Sequence, residues 1–516
     1  MNIKRAKQEI TNTVKAYLEK DSLGEYSIPQ VRQRPILLMG PPGIGKTQIM
    51  EQIAGECDLA LVSYTITHHT RQSAIGLPYI VQKQYGGKDY SVTEYTMSEI
   101  IASVYDRMEA SGKKEGLLFL DEINCVSETL SPAMLQFLQG KTFGNHRMPD
   151  GWIIVAAGNP PEYNRSVREF DVVTLDRVKV IPVEADYPVW KEYAYQAGIH
   201  GSILSYLEIR RDQFYRMETT VDGKRFVTAR GWQDLSELLW AYERLGIRAD
   251  REVTGQYLQH PAVAKDFANY LELYYRYQRD YQVDEILGGT IRPAILERLK
   301  YASFDERIEV TGLLLSKLAF HFRETYRTDR NTDRLYDLLK NFRKALEPDP
   351  TEDPSGKTPE SPLQILQKIR AGEEELQRNR ILAGQNAKEL KEQLKTLSDR
   401  VQEYEALLLE KQLFDPQEAF QAVTEEFRKD VARREEKTEQ TAQILENAFD
   451  FMEAAFGESQ EMVLFITELS VNLYAAAFLR EYDCARYFRY NKSLLFEDHS
   501  AQIRRQLDEI RDLQRT

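Results

Sequence analysis

The stretch Gly40-Pro41-Pro42-Gly43-Ile44-Gly45-Lys46-Thr47 constrains this chain more than any other. It has the form G-x-x-x-x-G-K-[ST], and its flanks are those such a loop requires. Pro35 to Met39 reads as a short buried strand running in, and Thr47 to Ala54 as the helix running out. Glycines let the backbone bend round a phosphate chain with its N–H groups turned inward, and the helix N-terminus adds partial positive charge. Lys46 has the reach for the β- and γ-phosphates, and the Thr47 hydroxyl is a ligand for Mg²⁺. Gly40, Pro41, Pro42, Gly43, Ile44, Gly45, Lys46, Thr47 and Gln48 are therefore the candidate nucleotide cradle.

A second stretch has matching chemistry. Gly116 to Leu120 is an apolar run that ends in Asp121 and Glu122. Buried parallel strands look like this, and ligands sit at their C-terminal ends. Asp121 is placed to hold Mg²⁺ through its water shell, and Glu122 to polarise an attacking water. A helix N-cap pair is the alternative reading. Trp152 to Ala157 is another buried strand, ending at Gly158-Asn159-Pro160. If it neighbours the carboxylate strand, the Asn159 amide can orient the water or contact the γ-phosphate; a loop-forming Asn-Pro is the plainer alternative.

Leu59 to Ile66 reads as a central strand, Tyr95 to Ala110 as a helix, and Lys141 to Asp150 as a short hairpin or loop. Arg165, Arg168 and Arg177 precede a last strand, Val178 to Pro182. The alternation over residues 31–182 predicts a parallel sheet with helices on both faces. His68 and His69 are adjacent, but chain neighbours point apart and no carboxylate follows at ligand spacing, so a solvated or partner-facing loop is expected rather than a metal site.

Around this core the chain is largely helical. Residues 1–30 read as an amphipathic helix and a loop, the helix packing onto the nucleotide domain, and 183–346 as a helical lid and extension. Residues 347–362 form an acidic, proline-rich linker, and 363–516 a helical or coiled-coil region with its own heptad seam, expected to be separable. The seam is Leu376, Ala383, Leu390, Leu397 and Tyr404, with Ala387, Leu394, Val401 and Leu408 between. Leu445, Phe449, Met452, Phe456, Phe465 and Leu469 form a later apolar set.

Composition narrows the function. A length of 516 residues fits roughly three domains of ~150 residues. A net charge of −13 argues against general binding of a nucleic-acid backbone. The 3 cysteines, Cys57, Cys125 and Cys484, match no metal spacing and fit a reducing compartment. No signal peptide is read at the N-terminus, so the expected location is the cytoplasm. Met462 to Leu479 is apolar but contains Glu468 and Asn472, so a buried helix is expected in place of a membrane span.

Over about residues 30–300 the chain resembles the AAA+ ATPases, and within them the MoxR-like branch. The loop and L-L-F-L-D-E-I-N are shared widely among AAA+ proteins; W-I-I-V-A-A-G-N-P, the L-D-R before the last strand and T-A-R-G-W at the start of a lid helix are more specific. The resemblance implies an α/β fold: an AAA+ P-loop NTPase sheet, parallel and flanked by helices, then an all-α lid and a C-terminal helical or coiled-coil region. It implies that Asn159 is sensor 1, Arg177 an arginine finger acting on a neighbouring subunit, and Arg230 sensor 2, with Ala229 where the branch usually has proline. The loop from Arg71 to Leu77 departs from the branch's usual acidic-leucine pattern. It further implies ATP and Mg²⁺, a ring, typically a hexamer, a protein client that is remodelled or matured, and a partner with a von Willebrand factor A-like domain. Two rival functions are a nucleic-acid-stimulated motor or restriction-type accessory ATPase, and a slow ATP-gated scaffold acting through its coiled coil.

Overall fold

The computed structural model describes residues 1–68, 74, 76–163, 167, 170–221, 223–347, 361–382 and 387–492. His69, Arg71, Arg165, Arg168 and linker residues 348–360 lie outside the described residues. The chain divides into two compact units: Met1–Val189 with Gln367–Val401, and Trp190–Leu366 with Gln402–Thr516.

The first unit opens with helix α1 (Ile3–Leu18), whose N-cap Asn2 accepts from the Arg5 N–H. Its buried stripe is Ala6, Ile10 and Val14, and Lys7 pairs with Glu56 at 2.6 Å, so it packs onto the nucleotide unit as its pattern predicts. Then follow β1 (Ile36–Met39), α2 (Lys46–Glu56), β2 (Ala60–Thr65), β3 (Pro78–Tyr85), β4 (Lys88–Tyr95), α3 (Glu99–Ser111), β5 (Gly116–Asp121), α4 (Ser131–Gly140), β6 (Thr142–Phe143), β7 (His146–Arg147), β8 (Trp152–Gly158), α5 (Val172–Arg177) and β9 (Lys179–Pro182).

Five of these strands form one sheet in the order β2-β5-β8-β1-β9, every pair parallel. The burial explains the order. Leu117 to Leu120 of β5 are all fully buried, as is nearly all of β8, which only strands covered on both faces can sustain. Each fully buried leucine of this kind stabilises the fold by about 2 kcal/mol. β2 lies at the sheet edge, not at its centre as the sequence predicts. Its last residues, Ser63, Tyr64 and Thr65, are exposed or half-buried, which suits an edge.

Two hairpins interrupt the alternation. Lys141 to Asp150 contains the β6–β7 hairpin, and Phe143 stacks on Phe137 with ring centres 4.1 Å apart. The β3–β4 hairpin is longer, and its strands are exposed almost throughout. The sequence reading runs the next helix from Tyr95; in the structure Tyr95 ends β4, and Ser98 caps α3 by accepting from the Ile100 N–H.

In the second unit come α6 (Tyr187–Ala197), α7 (Gly201–Ile209), β10 (Arg216–Thr220), β11 (Gly223–Val227), α8 (Ala229–Leu245), α9 (Arg251–Tyr257), α10 (Pro261–Asp280), α11 (Val283–Leu287), α12 (Pro293–Tyr301) and α13 (Phe304–Leu346). Among the described residues this stretch is helical with one two-stranded hairpin, β10–β11, inside it. Tyr206, Trp232 and Phe267 form an edge-on aromatic cluster, with Phe267 5.2 Å from each of the other two rings. Residues 304–346, read from sequence as several helices, are one helix of 43 residues.

After the linker come α14 (Pro362–Leu382), α15 (Ala387–Glu410), α16 (Pro416–Ala455), α17 (Gln460–Val471) and α18 (Leu473–Glu481). Of the heptad positions, Leu397, Val401, Tyr404 and Leu408 are buried, whereas Leu376 is 47 % exposed. The region does not stand as one body. Residues from Gln402 on group with Trp190–Leu366, where α13 packs against α16, α17 and α18. Leu445, Phe449, Met452, Phe465 and Leu469 are all buried there. Buried polar contacts tie the same elements: Thr325 bonds Thr441 at 2.8 Å, and Lys191 lies between Glu208 and Glu468 while the Tyr195 hydroxyl donates to Glu468. No single described helix is long and apolar enough to cross a membrane; α17 and α18, apolar together, bend by 86° at Asn472.

Candidate active site

The loop after β1 adopts the geometry its glycines allow. Gly43 and Gly45 have φ of +74° and +93°, and α2 starts at Lys46 directly behind them, with Gln48 in its first turn. The helix thereby points its free N–H groups into the loop.

Lys46 is 8 % exposed, and its ammonium is held inside the loop. It donates to Gly40 O at 2.7 Å, Pro41 O at 2.8 Å and Asn159 Oδ1 at 2.9 Å. Asn159 arrives there because β8 lies beside β1, with Gly158 paired to Met39 and the Gly40 N–H bonded to Gly158 O. β8 is also the neighbour of β5, so the amide, the lysine and the carboxylates gather at the C-terminal ends of three adjacent strands.

The Thr47 hydroxyl donates to Asp121 Oδ2 at 3.3 Å, and the Glu122 N–H donates to Asp121 Oδ1 at 2.9 Å. A hydroxyl and a carboxylate this close are hard oxygen donors suited to Mg²⁺, so the residues fit the ion. Glu122 itself has φ of +56°, a left-handed conformation that costs a non-glycine residue about 1 kcal/mol or more. Glu122 thus stands in the turn that directly follows β5.

Arg177 closes α5 and is exposed, with its guanidinium on Gln139 Oε1 of α4. It sits at the other end of the sheet from the loop. Lys179 pairs with Ile36, the first residue of β1, whereas the loop leaves from Met39, about 10 Å along the strand. Arg230 is in the first turn of α8, in the second unit, behind a Thr228 cap. Among the described residues no group of three or more histidine, cysteine or carboxylate side chains is arranged to hold a metal.

Sequence reasoning gave no role to Asn124. It is 2 % exposed, and its side chain bonds the backbone of Asn159. The signal was a lone amide in the apolar turn that follows Glu122.

Residues 36–175 match the family model described as "ATPase family associated with various cellular activities (AAA)". This stretch is similar to AAA domains. The match begins at the first residue of β1 and ends within α5, so it spans the loop, Asp121, Glu122 and Asn159. The parallel sheet flanked by helices is the AAA+ P-loop fold, and the family as a class binds nucleotide and hydrolyses ATP. No curated protein matches the chain.

Proposed function

We propose that this chain is a Mg²⁺-dependent ATPase of the MoxR-like type, which couples ATP binding and hydrolysis to remodelling or maturation of a protein client. The observation that carries the reading is the convergence of Lys46 with Asn159 and of Thr47 with Asp121 at the ends of neighbouring strands. When bound, Mg²⁺ supplies charge neutralisation for the phosphates, and Thr47 and Asp121 are the residues that would hold it. Lys46 binds the phosphate chain, Glu122 accepts a proton from the attacking water, and Asn159 orients that water or contacts the last phosphate.

Arg177 supports an assembly. It lies at the far end of the sheet from its own phosphate loop, beside the exposed Val172, Val173 and Leu175. An arginine so placed serves the site of a neighbouring copy, which favours a ring, in this reading a hexamer in the cytoplasm. Arg230 contributes from the lid as sensor 2, and a partner bearing a von Willebrand factor A-like domain presents the client. The net charge of −13 supports a protein client over nucleic acid.

The reading is tested by ATP turnover of the purified chain with Mg²⁺ and with a chelator, and with and without DNA or RNA. Mg²⁺-dependent turnover indifferent to nucleic acid is expected. Strong stimulation by DNA or RNA would favour a nucleic-acid motor.

A further inference from the structure

We infer that Asn124 is a positioning residue for turnover, holding Asn159 in place through both polar atoms of the Asn159 backbone; this rests on the ATPase reading above. Asn124 Nδ2 donates to Asn159 O at 2.8 Å, and the Asn159 N–H donates to Asn124 Oδ1 at 3.3 Å. A carboxamide carries one donor edge and one acceptor edge, and here both are matched to a single residue's N–H and C=O. Aspartate has no donor for the carbonyl, and leucine of similar shape has neither group.

Two further observations show that the arrangement is built around this pair. Asn124 is buried, so the bonds form away from competing water. A Cβ at Gly158 would stand 2.7 Å from Asn124 Oδ1 and 3.0 Å from Met39 Sδ, so only glycine lets the carboxamide come this close to the strand end.

The pair also links two functional turns. Asn124 lies in the short 3₁₀ turn Ile123–Cys125, closed by the Cys125 N–H on Glu122 O, and Glu122 precedes it directly. Glu122 is thus tied through Asn124 to the backbone of Asn159, whose side chain accepts from Lys46. Base, amide and phosphate-binding lysine share one rigid connection. Loss of Asn124 removes none of the three side chains but frees the Asn159 peptide to shift.

The test compares wild type, Asn124→Ala, Asn159→Ala and the double variant in the full chain. The readouts are kcat, the Kd of a non-hydrolysable ATP analogue, and hydrogen exchange at the Asn159 amide. Asn124→Ala is expected to lower kcat on the order of 10- to 100-fold, the scale of a slightly misplaced group, with Kd within about threefold. The Asn159 amide should lose protection. In the Asn159→Ala background the Asn124 substitution should lower kcat no further, because it acts through Asn159. A full multiplicative loss in that background, or unchanged kcat, overturns the proposal, and so does undiminished protection at Asn159. If Asn124→Ala does not fold, Asn124→Asp, nearly equal in volume but without the donor, takes its place under the same criteria. If wild type shows no turnover, the ATPase reading fails and the role in turnover with it; the exchange measurement then still reports separately whether Asn124 holds Asn159.

Discussion

Lys46 and Asn159 are 113 positions apart, and the lysine ammonium donates to the asparagine Oδ1 at 2.9 Å. The contact exists because β1 and β8 are adjacent parallel strands whose last residues are paired. In the function proposed above, the amide would stand beside the ammonium that binds the phosphate chain.

Lys46→Ala removes the charge at that point. A charge-assisted hydrogen bond contributes about 1.5–3 kcal/mol, so ATP affinity should fall on the order of 10- to 100-fold. Calorimetric titration measures this, and an unchanged affinity would count against the whole site.

Arg177 is distant from its own loop, so its substitution should act on a neighbour. Arg177→Ala should bind ATP normally and hydrolyse it poorly, by on the order of 10³-fold where a finger is supplied in trans. Mixing inactive Lys46→Ala chains with inactive Arg177→Ala chains should restore partial turnover. A mixture that stays inactive although mixed assemblies form would rule out this role.

Glu468 is buried with Lys191, Glu208 and Tyr195 in the second unit. Burial raises the Glu208 carboxyl, but Lys191 and Arg211 outweigh it and hold the group below its ordinary value. Lys191 is the cation shared by the two carboxylates, so Lys191→Ala leaves Glu468 buried without that counter-charge and should destabilise this unit by about 3 kcal/mol. Truncation near Glu347 should likewise unfold it, since α16, α17 and α18 supply its core. Both are checked by scanning calorimetry; an unshifted transition would mean that the C-terminal helices are dispensable.

Glu309 titrates in the neutral range. Burial, reinforced by Asp305 and Glu306 and partly offset by Arg276, pushes its carboxyl up to about 7 from 4.5. Folding thus favours its protonated form, so its contribution to stability is intact below about pH 4.5 and declines as pH rises to about 7. Glu309→Gln should flatten that decline in a series of thermal melts against pH. Parallel curves for the two proteins would show that Glu309 does not titrate there.

The candidate site was legible as a pattern because its motifs are local. A phosphate loop needs its glycines and lysine within eight residues, and an apolar run ending in Asp121 and Glu122 marks a buried strand without reference to its neighbours. What pairs with what was less legible. Leu61 to Ile66 has the composition of a strand anywhere in a sheet, and only the pairing of β2 with β5 alone puts it at the edge. The β3–β4 hairpin has no buried face to impose an alternating pattern, so Gly86-Gly87 was its one signal. Asn124 was missed because its partner is a backbone group, which no side-chain pattern reveals.

Paired binding and turnover measurements on Glu122→Gln test the central claim most directly. Glutamine is close to glutamate in shape, so it suits the turn at φ +56°, and it lacks the carboxylate proposed above to accept the water's proton. ATP should bind with the wild-type Kd while turnover falls by about 10²-fold or more, the scale of a lost general base. Turnover near the wild-type rate, with ATP bound as tightly, would contradict the assignment of this site as an ATP hydrolase centred on Glu122.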